Sequence, residues 1–246
     1  MPQPKRILDM ASIADVRDLY AYPGLGDIIT SEEVTHVLKL CGAFWMHSGN
    51  AAHPHAELTS GKCSDGFVNV MNALCYPNLC KMFGRQMAIL ASNKVRELKC
   101  PPPAWVVGSD HASATLSFAV ASALLRAKHD FTEKDPTPGS KKQLWKRFVV
   151  QPTEGILQVE EIVTTHLTMD AVRQGIVDGN PYDPLFTPFV MTLVNRSGSD
   201  DFHGFPILSL ASYDINSWEP ADCPLCNQGS KRLKPKANWD ELTQPS

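Results

Sequence analysis

No stretch of this sequence is apolar for long enough to cross a bilayer. Apolar runs such as V-V-G and A-S-A-L-L fall far short of the ~20 residues that a spanning helix needs. The opening M-P-Q-P-K-R-I-L-D-M lacks both the apolar h-region and the small-residue cleavage pattern of an export signal. An excess of one charge is missing too. With 23 Lys and Arg against 26 Asp and Glu, the net charge of −3 gives no electrostatic footing for nucleic acid or an acidic membrane surface. There are no internal repeats, no low-complexity segment and no helix-turn-helix pattern. These absences lead to the expectation of a cytoplasmic protein that binds neither nucleic acid nor membrane. The 246 residues suffice for one large globular domain, or for one domain with a smaller attachment.

A second pair of metal-spaced cysteines is absent as well. Seven cysteines are scattered from Cys41 to Cys226. An odd number without a secretion signal implies reduced thiols, several of them buried. Only C-P-L-C, Cys223 to Cys226, has a ligand-like spacing. Tetrahedral zinc needs four ligands, and no second pair or H-x-H follows it. The pair is read as a tight turn carrying two thiols near the surface, with a shared or partial metal site as the alternative. His53 and His55 flank a proline and are read as structural, so no metal ligand is assigned.

What is present is an alternation of helical and strand patterns. Ser31 to Cys41 has helical spacing with a serine cap and early acids. Tyr76 to Lys94 repeats apolar residues at Leu79, Phe83, Met87 and Leu90, and Ala114 to Arg126 and Thr168 to Val177 also read as helices. Strands are expected after the break C-P-P-P-A-W-V-V-G, at Phe148 to Gln151, from Ile156, in F-V-M-T-L-V-N and in F-P-I-L-S-L-A-S-Y. T-E-K-D-P-T-P-G-S-K-K reads as a mobile surface loop, and the tail after Trp218 as an irregular extension. The pattern predicts an α/β domain on a mostly parallel sheet flanked by helices.

One stretch carries more chemistry than the others: I-L-Q-V-E-E-I-V-T-T-H-L-T-M, Ile156 to Met169. In open α/β sheets, ligands bind outside the carboxyl ends of strands. Adjacent strand residues face opposite ways, so one of Glu160 and Glu161 can aim at a ligand while the other braces. A carboxylate accepts hydrogen bonds through two oxygens, which suits a vicinal diol such as a ribose, and it also suits Mg2+. The hydroxyls of the following loop, at the start of a helix, make an anion cradle. The plainer reading is a strand ending in two solvated acids with a Ser/Thr cap for the next helix.

This segment resembles the phosphoribosyl diphosphate (PRPP) signature of type I phosphoribosyltransferases: apolar strand, two acids, two apolar residues, Thr-rich loop. H-A-E-L-T-S-G-K-C-S-D-G-F-V-N, from His55 to Asn69, is similar to the N-terminal substrate motif of the orotate branch, built around S-G-x-x-S. V-V-G-S-D-H-A-S-A-T-L, from Val106, falls where that family has its pyrophosphate loop, and L-V-N-R, ending at Arg196, resembles its base-binding strand. The resemblance runs from about Val34 to Tyr213. It departs at Glu161, where the family usually has Asp, at His166, where it usually has Gly, and at Ala112 and Ser113, in a loop that normally carries glycines. Thr59 stands where the family often has lysine.

The resemblance implies a phosphoribosyltransferase fold with a small N-terminal hood, arranged as an extension (1–30), the catalytic domain with its hood (31–215) and the tail (216–246). It implies transfer of phosphoribosyl from PRPP to orotate, with Mg2+ as cofactor and a homodimer as the working unit. Glu160 and Glu161 would hold the ribose hydroxyls; Thr164, Thr165 and Thr168, with His166 among them, would hold the 5-phosphate. Ser109, Asp110 and His111 would lie along the pyrophosphate, with Lys62 and Ser64 approaching from the hood, Phe67 over the base and Arg196 on the orotate carboxylate. Lys134 would be the catalytic loop lysine, with Lys141 and Lys142 farther along that loop. A non-catalytic PRPP-binding regulator and a transferase for another base stay open as alternatives.

Overall fold

The computed structural model of the protein describes residues 6–17, 19, 22 and 28–243. Seven strands make the central sheet: β1 (Trp105–Gly108), β2 (Lys128–Phe131), β3 (Gly155–Val163), β4 (Leu185–Phe186), β5 (Val190–Asn195), β6 (Asp201–Phe202) and β7 (Phe205–Ser212). Their spatial order is β6-β7-β5-β3-β1-β2, with β4 paired to the start of β3. Every pairing is parallel except that of β6 with β7. A strand covered on both faces is buried along its length rather than at alternate residues, as β5 is throughout and β3 is from Ile156 to Glu160.

Four helices flank the sheet: α1 (Ser31–Leu40), α2 (Pro77–Leu98), α3 (Ala112–Ala123) and α4 (Leu167–Gly179). Helix α1 is capped one residue before the expected serine. The side chain of Thr30 accepts from the Glu33 amide, and the Glu33 carboxylate accepts from the Thr30 amide, which makes a capping box. Helix α2 starts with proline in its first turn, ends at Lys99 in the left-handed conformation, and buries Leu79, Phe83 and Met87. The main core joins α1, α2, α3 and the middle of the sheet, and Ile7, Met10, Val16 and Leu19 of the N-terminal segment pack into it. Residues 1–5, 18, 20, 21 and 23–27 of that segment lie outside the described residues. Among the described residues, no helix is long and apolar enough to cross a membrane.

Three expectations need correction. Phe148–Gln151 is not a strand. Both sides of β3 are already taken by β1 and β5, and the Val150 amide donates instead to Asn180 Oδ1 at 2.9 Å. The segment read as a surface loop is largely exposed but is the turn of a hairpin, Glu133–Lys134 against Gln143–Leu144, tied by Asp135 to Thr137 and Ser140. The tail is not simply irregular. Ser217–Trp218 and Arg232–Leu233 form the outer strands of a four-stranded hood sheet around His55–Glu57 and Cys63–Ser64. It folds onto the hood because it carries apolar residues that become buried there, Cys223, Leu225 and Leu233 among them.

Helix α4 presses on the hairpin through a missing side chain. A Cβ at Gly175 would lie 2.2 Å from the carbonyl oxygen of Gln143. Overpacking of that kind costs about 1–3 kcal/mol, and roughly 2–4 °C per kcal/mol at this chain length. Gly175→Ala is therefore expected to lower the melting temperature by several degrees, read by circular dichroism. An unchanged melting curve would mean that the helix and hairpin separate freely.

Candidate active site

The carboxyl ends of β1 and β3 lie side by side, and each runs into the loop before a helix: 109–111 before α3 and 164–166 before α4. A cavity of about 620 Å³ opens at this edge, a size usual for a small-molecule site. Its walls include Asp110, His111, Lys134, Glu161, Thr165 and Thr168. The turn from β1 to α3 depends on close approach: a Cβ at Gly108 would meet the Ser113 carbonyl oxygen at 2.6 Å. Three residues on, His111 has φ 64° and ψ −118°, a backbone state that side chains other than hydrogen rarely adopt. Strain of this kind is typically about 1–3 kcal/mol, and here it sits on the cavity wall.

The two acids at the end of β3 converge on one hydroxyl. Glu160 is 2% exposed and receives hydrogen bonds from Ser109 Oγ and Ser113 Oγ, each at 2.7 Å. Ser113 Oγ also contacts the Glu161 carboxylate and accepts the Glu161 amide at 3.1 Å. A hydroxyl has a single hydrogen, so Ser113 can donate to only one of the two carboxylates. The other contact is satisfied when a proton lies on an acid. Burial, then the neighbouring Glu161 charge, pushes Glu160 up to about 7, against the opposing pull of the serine hydroxyls. Glu160 Oε1 has no hydrogen-bond partner among the described residues. Glu161 is half-buried and forms part of the wall; Glu160 lies behind it.

Lys134 reaches the cavity from the hairpin, its Nζ 3.7 Å from Asp110 Oδ2. Asp110 also accepts from Gln143 Nε2 at 3.3 Å and has the His111 ring 3.6 Å away. The hairpin is braced at its base, where Arg147 pairs with Asp130 at 3.1 Å and with Glu133 at 3.0 Å. Lys141 lies on the cavity wall and Lys142 does not.

Other expected residues fall elsewhere. Thr164 is exposed beside the cavity rather than on its wall, and the His166 ring packs edge-on against Phe202 at 5.3 Å. Ser109 faces Glu160 beneath the wall. In the hood, Lys62 pairs with Glu219 at 3.1 Å, and the buried Ser64 hydroxyl is engaged by the Gly66 and Asn216 carbonyls. Phe67 lies 6.1 Å from the Trp239 ring and lines a second, smaller cavity with Lys234 and Lys236. Arg196 leaves the end of β5 half-buried, and its Nε has no partner among the described residues. Burial pulls its pKa below the ordinary arginine value, and Asp65 of the hood opposes that shift.

Sequence reading missed Ser113 and Gln143 as site residues. Ser113 was visible only as a departure from a glycine-bearing loop, since its contact with two acids forms where separate elements meet. It also missed four side chains brought together in the hood, namely His55, Cys63, Cys223 and Cys226.

No family model matches the chain. The orotate phosphoribosyltransferase of Caldicellulosiruptor saccharolyticus is 30% identical over 181 residues, covering 74% of this chain and 87% of that protein. That of Thermotoga maritima is 29% identical over 188 residues, covering 76% and 92%. Among solved structures, the orotate phosphoribosyltransferase of Aeropyrum pernix superposes with a TM-score of 0.51 at 15% identity, covering 73% of this chain and 93% of that one. The Mycobacterium tuberculosis enzyme does so with a TM-score of 0.50 at 17% identity, covering 73% and 95%. At such identities the structural likeness concerns the fold, a mostly parallel sheet with flanking helices.

Proposed function

The chain belongs to the orotate phosphoribosyltransferase family, and we propose that it transfers the phosphoribosyl group of PRPP to orotate, yielding orotidine monophosphate and pyrophosphate. The observation that carries this reading is the cavity at the ends of β1 and β3, where a carboxylate, a threonine loop at a helix start and a lysine arm meet. Glu161 accepts the ribose hydroxyls. Thr165 and Thr168, with Thr164 at the rim and the first-turn amides of α4, take the 5-phosphate. His166 acts from behind, by fixing the loop against Phe202.

Asp110, His111 and Lys134 flank the diphosphate. Two carboxylates, Asp110 and Glu161, face a strongly anionic substrate, an arrangement that repels unless a cation lies between them. Their hard oxygen donors fit Mg2+, as does the unpartnered Oε1 of Glu160 behind them. Bound with the diphosphate, Mg2+ would neutralise charge on the leaving group. Lys134 adds a second positive charge at the leaving oxygens as the C1–O bond lengthens, and its hairpin keeps water from the oxocarbenium-like centre. Glu160 is a positioning residue: it holds Ser109 and Ser113, and through them the pyrophosphate loop. A lysine poised on the cavity favours an enzyme over a silent PRPP-binding regulator. The homodimer and a cytoplasmic location belong to the same proposal, the former testable by sedimentation.

Base choice rests on Arg196, whose free Nε at the hood boundary suits a carboxylate. Phe67 covers the pyrimidine, while Lys62 and Ser64 hold the hood in place around it. With PRPP and Mg2+, orotate is expected to be consumed and uracil, adenine and hypoxanthine left intact. Arg196→Ala is expected to lower kcat/KM for orotate by about 100-fold, the worth of one charge-assisted pair, with PRPP affinity retained. Full orotate activity in that variant, or turnover of another base by the wild type, would overturn the assignment.

A further inference from the structure

The hood brings together four side chains that the transfer reaction does not use. His55 and Cys63 come from neighbouring strands of the N-terminal motif, and Cys223 and Cys226 come from the tail. Their ligand-capable atoms all lie within 4.8 Å of one another. Cys63 Sγ is 3.6 Å from Cys226 Sγ, and His55 Nε2 is 3.4 Å from Cys226 Sγ and 3.7 Å from Cys223 Sγ. A tetrahedron with metal–sulfur bonds of about 2.3 Å and a metal–nitrogen bond of about 2.0 Å has S···S edges of roughly 3.8 Å and S···N edges of roughly 3.5 Å. These three separations match those edges. They do not match a disulfide, whose sulfurs are about 2.05 Å apart.

The histidine is set for ligation by its other nitrogen. Ser230 Oγ donates to the His53 carbonyl at 2.6 Å, so at the 2.8 Å contact with His55 Nδ1 it must accept. The proton of His55 is therefore on Nδ1, and the Nε2 lone pair points at the sulfurs. An outer partner that fixes the tautomer in this way is the usual companion of a metal-bound histidine. Cys223 also accepts the Cys226 backbone amide at 3.5 Å, a turn that places both thiols on one side. His55, Cys63 and Cys223 are fully buried.

We propose that His55, Cys63, Cys223 and Cys226 bind one zinc ion in a closed, structural Cys3His site. Three thiolates select a soft, tetrahedral metal, and four protein ligands leave no open position for chemistry. Metal entry releases the thiol protons to solvent and involves no redox step. The ion staples the tail to the hood across the whole catalytic domain. It thereby holds Lys234 and Lys236 in place around the Phe67 cavity.

The test uses the full chain, purified under reducing conditions. Elemental analysis is expected to find one zinc per chain. After chelation, Co2+ is expected to give the visible bands of a tetrahedral site and a thiolate charge-transfer band. Cys226→Ser is expected to lose zinc and the charge-transfer intensity. Ser230→Ala, which keeps all four ligands, is expected to retain the cobalt spectrum with about 10- to 100-fold weaker zinc affinity. The exposed Cys75 is a control, and Cys75→Ser is expected to behave as the wild type. Wild-type protein with no zinc and no cobalt spectrum would overturn the proposal. So would a Cys223–Cys226 disulfide whose reduction does not restore metal uptake. Both of these outcomes are read on the wild type, so they hold even if a cysteine variant fails to fold.

Discussion

Glu161→Ala is expected to reduce kcat/KM for PRPP by between about 100-fold and 10,000-fold while leaving the melting temperature unchanged or slightly raised. Hydrogen bonds to a charged acceptor contribute about 1.5–3 kcal/mol each, and a diol offers two of them. Glu161 is the acid on the cavity wall, so both of those bonds disappear with its side chain. Folding does not suffer, because the Glu161 charge is one of the causes that push Glu160 upward. Its removal relieves that repulsion. Glu161→Gln keeps one accepting oxygen and is expected to fall between the wild type and alanine. A loss confined to stability, with PRPP kinetics intact, would remove Glu161 from the site.

Glu160→Gln separates stability from function in the opposite sense. The buried carboxyl has a pKa of about 7 in the folded protein against an ordinary value of 4.5. Between those values the folded state binds the extra proton, so stability falls as pH rises through the window, and the penalty is complete above about 7. At about 1.4 kcal/mol per unit, the penalty is on the order of 3–4 kcal/mol. Glutamine has the same shape and keeps the serine contacts without the charge. Glu160→Gln is therefore expected to melt roughly 6–16 °C higher than the wild type at pH 8 and at nearly the same temperature at pH 4.5. PRPP affinity is expected to drop, because a Mg2+ ion held by the acid pair would have one negative charge fewer beside it. Equal melting temperatures at pH 8 would mean that Glu160 is ionised at no cost in the wild type.

The central elements were legible because their signals are local. The run I-L-Q-V-E-E could be seen as a buried strand, which continues two residues past the acids to Val163, and the threonines before α4 as the opening of a helix, from neighbours in sequence alone. The cap of α1 was misread by one residue, since Thr30 and Ser31 both qualify and only the reach of Glu33 decides. Phe148–Gln151 has strand-forming residues, but whether a strand forms depends on a free sheet edge, which local sequence does not encode. The convergence of both acids on Ser113 depends on how β1, α3 and β3 pack. The hood cluster was hidden for the same reason. His55 and Cys63 lie in the N-terminal motif, Cys223 and Cys226 in the tail, and no spacing rule links them.

Phosphoribosyl transfer to orotate at the Glu161 cavity is tested most directly by following orotate absorbance with purified protein, Mg2+ and PRPP, beside the same mixture containing Glu161→Ala. A PRPP-dependent loss of orotate is expected with the wild type, and a rate at least ~100-fold lower with the variant. Orotate left unchanged by the wild type, or consumed equally fast by both proteins, would contradict that assignment.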